Sequence, residues 1–249
     1  MGLVTVERSG AVALVRYDRG GSANALSAAA MAELIATADS LRADRTVAAV
    51  VLTGTPRVFC AGIDLSDPAL WGAPGEEQSP APLAAAEQGK ALCEAWAGLP
   101  QITVAAVEGA AIGGGAVLAQ ALDWRVMGRG ARMRLPEARL GFNLAWGTLP
   151  RLVSLIGPAR AKRALFTDMQ IDAALAADWG LADAVVDDGA AVAEAMRLAA
   201  EAAQVPGPVL RMTKRAIAAQ VEAPHLAHAD AEQFLLSIWM AQRDKGARA

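Results

Sequence analysis

Residues 110–121 read AAIGGGAVLAQA, and the glycines at 113, 114 and 115 stand where the apolar run ITVAAV gives way to helix-compatible residues. Three consecutive glycines strip every Cβ from a strand-to-helix turn, so a ligand can approach the backbone and the N–H groups can point outward. The helix that follows presents its positive end to the same place, which favours an anion or an oxygen gaining negative charge. The spacing lacks the G-x-G-x-x-G of a dinucleotide site and the Gly-Lys-Ser/Thr ending of a P-loop, so neither nucleotide reading is supported.

The surrounding pattern is layered. LVTVER and AVALVRY, joined at Ser9–Gly10, read as a hairpin. Ser27 is placed to cap a helix over AAAMAELIATADSLRAD, with Met31, Leu34, Ile35, Ala38 and Leu41 on one face. VAAVVLTG is a continuous apolar run ending in glycine, as expected of a strand covered on both faces. A helix from about Leu83 to Gly98 precedes ITVAAV, LDWRVMG reads as a further strand, and LPRLVSLIGPARAKRALF reads as two helices parted at Gly157–Pro158. DWGLADAVV supplies a helix end and a strand, and the chain is helical from Ala190 onward, with a last helix over HADAEQFLLSIWMAQRDK. This order favours an α/β fold with function at the strand ends.

Composition excludes several classes. With 249 residues, 54% of them apolar, the chain can bury a substantial core. Its apolar runs are too short and glycine-rich to span a bilayer despite a mean hydropathy of +0.29. The N-terminal MGLVTVERSG lacks the order of a signal peptide, so a cytoplasmic protein is expected. Cys60 and Cys93 are the only cysteines, which supports neither a disulfide framework nor a zinc cluster. A net charge of −3 without a basic run argues against nucleic acid. His225 and His228 could share a helix face, but no third ligand lies nearby, so no metal is expected.

Two further stretches carry chemistry. In TPRVFCAGIDL, Asp64 could cap a short helix and leave the Ile63 N–H free at its mouth, beside Ala61 and Gly62. Together with the Gly114 N–H beyond the second buried strand, it would make two backbone donors converging on one oxygen, an oxyanion hole. In LPEARLGF, Pro136 can take the first helical position and set the Glu137 carboxylate near a helix start. A capped turn and an ordinary first-turn glutamate are the plainer readings of the two stretches. Cys60 reads as a small buried residue without a base partner, and Ser27 and Ser66 lack a Ser-His-Asp context. SDPALWGAPGEEQSPAP, with four prolines and two glycines, reads as an irregular loop that could cover a pocket.

In order along the chain, NALS, FCAGIDL, AAIGGGAVLA, LDWRV, LPEARLG, GPARAK and WGLADAVV resemble the enoyl-CoA hydratase/isomerase (crotonase) superfamily. The resemblance implies an α/β crotonase-like fold of repeated ββα units in two roughly perpendicular sheets over residues 1–189. It also implies a C-terminal helical region over 190–249 that mediates a homotrimer or hexamer. The implied substrate is an acyl-CoA thioester, coenzyme A arriving as part of the substrate with no permanently bound cofactor. Carried over by position, Ile63 and Gly114 are the oxyanion donors, with Ala61, Asp64 and Gly113 beside them.

The chain departs from the family pattern at one chemical position. Family hydratases carry a glutamate two residues after the last glycine of the triplet and another in the following Pro-Glu pair. Here the second is present as Glu137 and the first is replaced by Val117. Hydration uses two carboxylates to hold and activate water, and losing a positioned acid–base group typically costs ~10²–10⁴ in rate. Shifting a double bond from C3–C4 to C2–C3 needs one base. A single-carboxylate isomerase is therefore expected, with a weakened hydratase and a non-catalytic acyl-CoA-binding protein as alternatives. The apolar wall at Val117 is expected to raise the pKa of a neighbouring carboxyl. The usual proline and glycine-rich turn after LPEARLG is replaced by FNLAWGTLPRL, where Phe142 and Trp146 could narrow the acyl pocket and Asn143 could add a polar contact. Core packing is the alternative role for those aromatics. Lys214 and Lys245 are candidate contacts for the CoA phosphates, with solvated lysines as the default.

Overall fold

The structure, a computed structural model, describes residues 2–72 and 79–222. The last helix expected from the sequence, together with His225, His228 and Lys245, lies outside the described residues, as does the centre of the proline-rich loop.

The chain begins with an antiparallel hairpin of β1 (Val4–Ser9) and β2 (Val12–Tyr17). α1 (Ala28–Ala43) follows, and the Ser27 side chain accepts from the Ala30 N–H at 3.2 Å. A cap of this kind contributes ~1 kcal/mol. Met31, Leu34, Ala38 and Leu41 are buried on the face their spacing defines, with Ile35 packed at its margin.

Next come β3 (Ala49–Thr53), β4 (Val58–Cys60), α2 (Pro68–Trp71), α3 (Ala81–Ala97), β5 (Ile102–Val107), β6 (Ala110–Ile112) and α4 (Gly114–Ala121). β7 (Trp124–Gly128), β8 (Arg132–Arg134), α5 (Glu137–Leu140) and α6 (Thr148–Phe166) continue the pattern. After them are β9 (Ile171–Asp172), α7 (Ala173–Trp179), β10 (Ala184–Val186), α8 (Ala191–Ala202) and α9 (Gly207–Glu222). The break expected in α6 is present, Gly157 leaving the helix at φ 77°.

One sheet has the order β1-β2-β3-β5-β7-β10 and the other β4-β6-β8-β9. The first strand of each successive pair (β3, β5, β7) enters the large sheet, the second (β4, β6, β8) enters the small one, and helix follows. This is the ββα repeat that the family resemblance implies. From β2 to β10 the large sheet is parallel, and such strands are apolar throughout because both faces are covered. Ala49 and Val51 of β3 share one core with Val104 and Ala106 of β5, while Val50 and Leu52 point into the other.

α8 covers the first of these faces with Ala191, Ala195 and Ala199, spaced one turn apart. Small side chains let the helix lie close to the sheet, so α8 is part of the sheet's packing rather than an appendage.

Two segments of the family pattern meet in space. Arg125 of LDWRV is 1% exposed and donates to Leu122 O at 3.0 Å, Leu181 O at 2.6 Å and the Asp183 carboxylate at 2.9 Å. The pair is buried on the arginine side only, Asp183 being exposed. Lys214 of α9 is engaged as well, its Nζ donating to Gln101 O at 2.7 Å and to Asp123 at 2.5 Å. That pairing docks α9 and takes Lys214 away from the phosphate role considered for it.

Candidate active site

The small sheet delivers both glycine-rich turns to one place. β4 and β6 are parallel neighbours, so the chain leaves β4 through Ala61–Gly62–Ile63 and β6 through Gly113–Gly114 at the same end of the sheet. Leu26 holds the first turn in a parallel bridge. Its N–H donates to Gly62 O at 2.7 Å and its carbonyl accepts from the Asp64 N–H at 2.8 Å. In that pattern the residue between, Ile63, turns its own N–H to the opposite side. Asn24 secures the Leu26 segment in turn: its buried amide donates to Tyr17 O and Phe59 O, both at 2.9 Å, and accepts from the Arg19 N–H at 3.0 Å.

Ile63 therefore does not stand at a helix mouth, as the sequence suggested. α2 begins only at Pro68 and is capped by Asp67, while the Ile63 N–H is exposed by bridge geometry. Asp64 also departs from expectation. It is not among the residues lining the cleft: Oδ2 pairs with Arg19 at 2.7 Å, and Oδ1 accepts from the Ser66 N–H and hydroxyl at 2.9 and 2.6 Å. The Ser66 hydroxyl and then Arg19 hold its carboxyl below the usual range against the effect of burial. Asp64 is a strut of the turn, not a wall of the cleft.

The second turn is tight because its neighbours leave no room. Gly113 adopts φ 49°, ψ −124°, a conformation suited to glycine. A Cβ on Gly115 would fall 2.2 Å from Cys60 O, and one on Gly62 would fall 2.7 Å from Ile112 O and 3.3 Å from Gly114 N. The Gly114 N–H opens α4 and has no carbonyl of that helix to bond. A Cβ on Gly114 would lie 3.5 Å from Ile63 N, so the two amides sit side by side.

Glu137 stands over this point. Pro136 is the residue before α5 rather than its first, and Glu137 opens the helix. Its Oε1 lies 3.2 Å from where a Cβ of Gly113 would be, and Oε2 is buried with no hydrogen-bond partner among the described residues. Burial, aided by the Asp168 charge, pushes the carboxyl up to about 7 against the hydrogen bond from its own backbone N–H. Val117, 3% exposed, forms an apolar part of the same lining.

Counted out to its mouth, the cleft holds about 650 Å³ of space. It brings together Ala61, Ile63, Gly113, Gly114, Val117, Glu137, Phe142 and Trp146 from the residues the sequence singled out for the site, and Asn143 from the turn after them. Sequence reasoning missed Trp71, whose indole N–H donates to Asp64 O at 2.9 Å and whose ring stacks on Phe142 with centroids 6.3 Å apart. A tryptophan alone in a loop of prolines and glycines was the available signal. Leu65, Leu140 and Leu144 complete an apolar wall without a distinguishing pattern of their own. Beside the site, burial pushes the Cys60 thiol up to about 12, which leaves it protonated and unreactive near neutral pH. Among the described residues there is no group of side chains that could hold a metal ion, and no helix long and apolar enough to cross a membrane.

The family model for enoyl-CoA hydratase/isomerase matches residues 7–249. The enoyl-CoA hydratase EchA19 of Mycobacterium tuberculosis is 34% identical over 209 residues, 82% of this chain and 75% of that protein. The crystal structure of an enoyl-CoA hydratase from Bacillus anthracis superposes with a TM-score of 0.82 at 29% identity, covering 97% of this chain and 90% of that one. A monofunctional enoyl-CoA isomerase from M. smegmatis superposes with a TM-score of 0.75 at 27% identity, covering 94% and 99%. Hydratases and an isomerase thus share this architecture.

Proposed function

The chain belongs to the enoyl-CoA hydratase/isomerase family, and from that premise we propose that it is a single-carboxylate enoyl-CoA isomerase moving a double bond from C3–C4 to C2–C3. The observation that carries this reading is the pairing of Glu137, whose Oε2 is buried with no partner among the described residues, with an apolar Val117 at the position of the first family glutamate. A buried acceptor without a partner costs about 1–3 kcal/mol, and a role in accepting a proton accounts for its retention.

In the proposed reaction the thioester carbonyl oxygen accepts from the Ile63 and Gly114 N–H groups. Ionised Glu137 removes a proton from C2, and the electron pair moves into the C2–C1–O unit as an enolate whose oxygen the two N–H groups stabilise. The enolate collapses as the carbonyl re-forms: the C1–C2 pair shifts to C2–C3, and the C3–C4 pair takes up the proton that protonated Glu137 returns at C4. Nothing is added or lost, so one carboxyl suffices. Hydration needs a second group to position and activate water, and the side chain at 117 has no polar atom. Glu137→Gln is expected to lower turnover by ~10²–10⁴ while retaining acyl-CoA binding, measured by steady-state kinetics beside calorimetric titration. Unchanged turnover would remove Glu137 as the base.

We also propose that the protein assembles as a trimer or hexamer. The exposed apolar side chains of α9, Val209, Met212 and Ile217, support burial against another copy.

A further inference from the structure

Given a thioester carbonyl held between Ile63 and Gly114, we propose that Trp146 closes the acyl end of the cleft and restricts the enzyme to short acyl groups. The indole is 6% exposed yet lines the cleft, and its position is measured by two glycines on different helices. A Cβ on Gly114 of α4 would meet Cζ3 at 2.6 Å and Cη2 at 2.7 Å. A Cβ on Gly89 of α3 would meet Cε2 at 1.9 Å, Nε1 at 2.2 Å and Cζ2 at 2.3 Å. The ring therefore spans from the proposed carbonyl site to α3 and fills the space between the two helices.

Two independent features say that the ring is held there. Gly89 is a mid-helix glycine in α3, a position where glycine weakens a helix. Contact with the indole explains it, because alanine would strike the ring. Trp146 itself has φ 65°, a left-handed backbone that bulky residues rarely adopt, and Gly147 follows at φ 68°. Such strain persists where the surroundings over-determine it, often at ligand sites. With its backbone fixed this way and glycines on both sides of its ring, Trp146 cannot swing clear to admit a longer chain. On this proposal, acyl carbons beyond those nearest the thioester meet the ring.

Calorimetric titration of the full chain with saturated butyryl-, hexanoyl-, octanoyl- and decanoyl-CoA tests this without depending on which reaction the enzyme runs. The native protein is expected to bind butyryl-CoA at least about tenfold more tightly than decanoyl-CoA. Trp146→Gly suits the left-handed backbone while removing the ring, and is expected to tighten decanoyl-CoA relative to butyryl-CoA by about tenfold or more. Trp146→Phe keeps part of the packing and moves the profile the same way to a smaller extent, so the test stands if the glycine variant does not fold. Native affinity that is flat or rises with chain length, or a variant profile parallel to the native one, overturns the gate alone. Failure of every thioester to bind overturns both the gate and the proposed function.

Discussion

The Glu137 carboxyl titrates near neutrality because it is buried beside glycine backbone and apolar side chains, and the consequences for folding and for catalysis run in opposite directions. Its pKa is raised from 4.5 to about 7 in the folded chain. Between those values the unfolded chain releases the proton and the folded chain keeps it, so this group's contribution to stability is present at low pH and is lost as pH rises through about 7. The proposed base must be ionised, so kcat/KM is expected to rise with pH through a midpoint near 7 and then level. A rate profile taken across that range checks it, and a flat profile would detach Glu137 from the rate-limiting proton transfer. Single residues were unevenly legible. Family position marked Glu137, Ile63 and Gly114, and all three line one cleft, although the helix mouth expected at Ile63 is absent. Asp64 was misjudged because a carboxylate after Gly-Ile looks like a helix cap, whereas Arg19 and Ser66, a distant and a near partner, decide where it points.

Elements were read more securely than their contacts. The hairpin, the Ser27-capped helix, the buried strands and the break at Gly157 follow from local pattern, and each is present. What no local pattern contains is the knot at Asn24, which ties together the end of β2, the Arg19 loop and β4, or the meeting of Arg125 with Asp183. The same holds for α8, whose alanine stripe reads as an ordinary helix until the large sheet is laid beneath it. α9 presents the opposite case: Lys214 and Leu210 dock it, while Met212 is 72% and Ile217 61% exposed. If another copy covers that surface, as proposed, the native protein is expected to run in analytical ultracentrifugation at the mass of a trimer or hexamer. Met212→Glu is expected to shift it toward smaller species, and a monomeric native protein would refute the assembly.

For the whole molecule, the crotonase architecture leaves the outcome to whichever side chains surround the cleft. Two backbone turns on neighbouring parallel strands meet at the cleft, and hydratases and an isomerase of known structure share the fold. Here the cleft is lined by one proton-poised carboxyl, one valine where family hydratases carry a glutamate, and the indole proposed to limit the acyl chain. The most direct measurement is incubation with short-chain 3-enoyl-CoA and, separately, 2-enoyl-CoA, with products resolved by mass and by double-bond position. Conversion of the 3-enoyl thioester to the 2-enoyl isomer without gain of mass, and little hydration of either, is the expected result. Efficient addition of one water to 2-enoyl-CoA, with no double-bond shift in the 3-enoyl substrate, would contradict it.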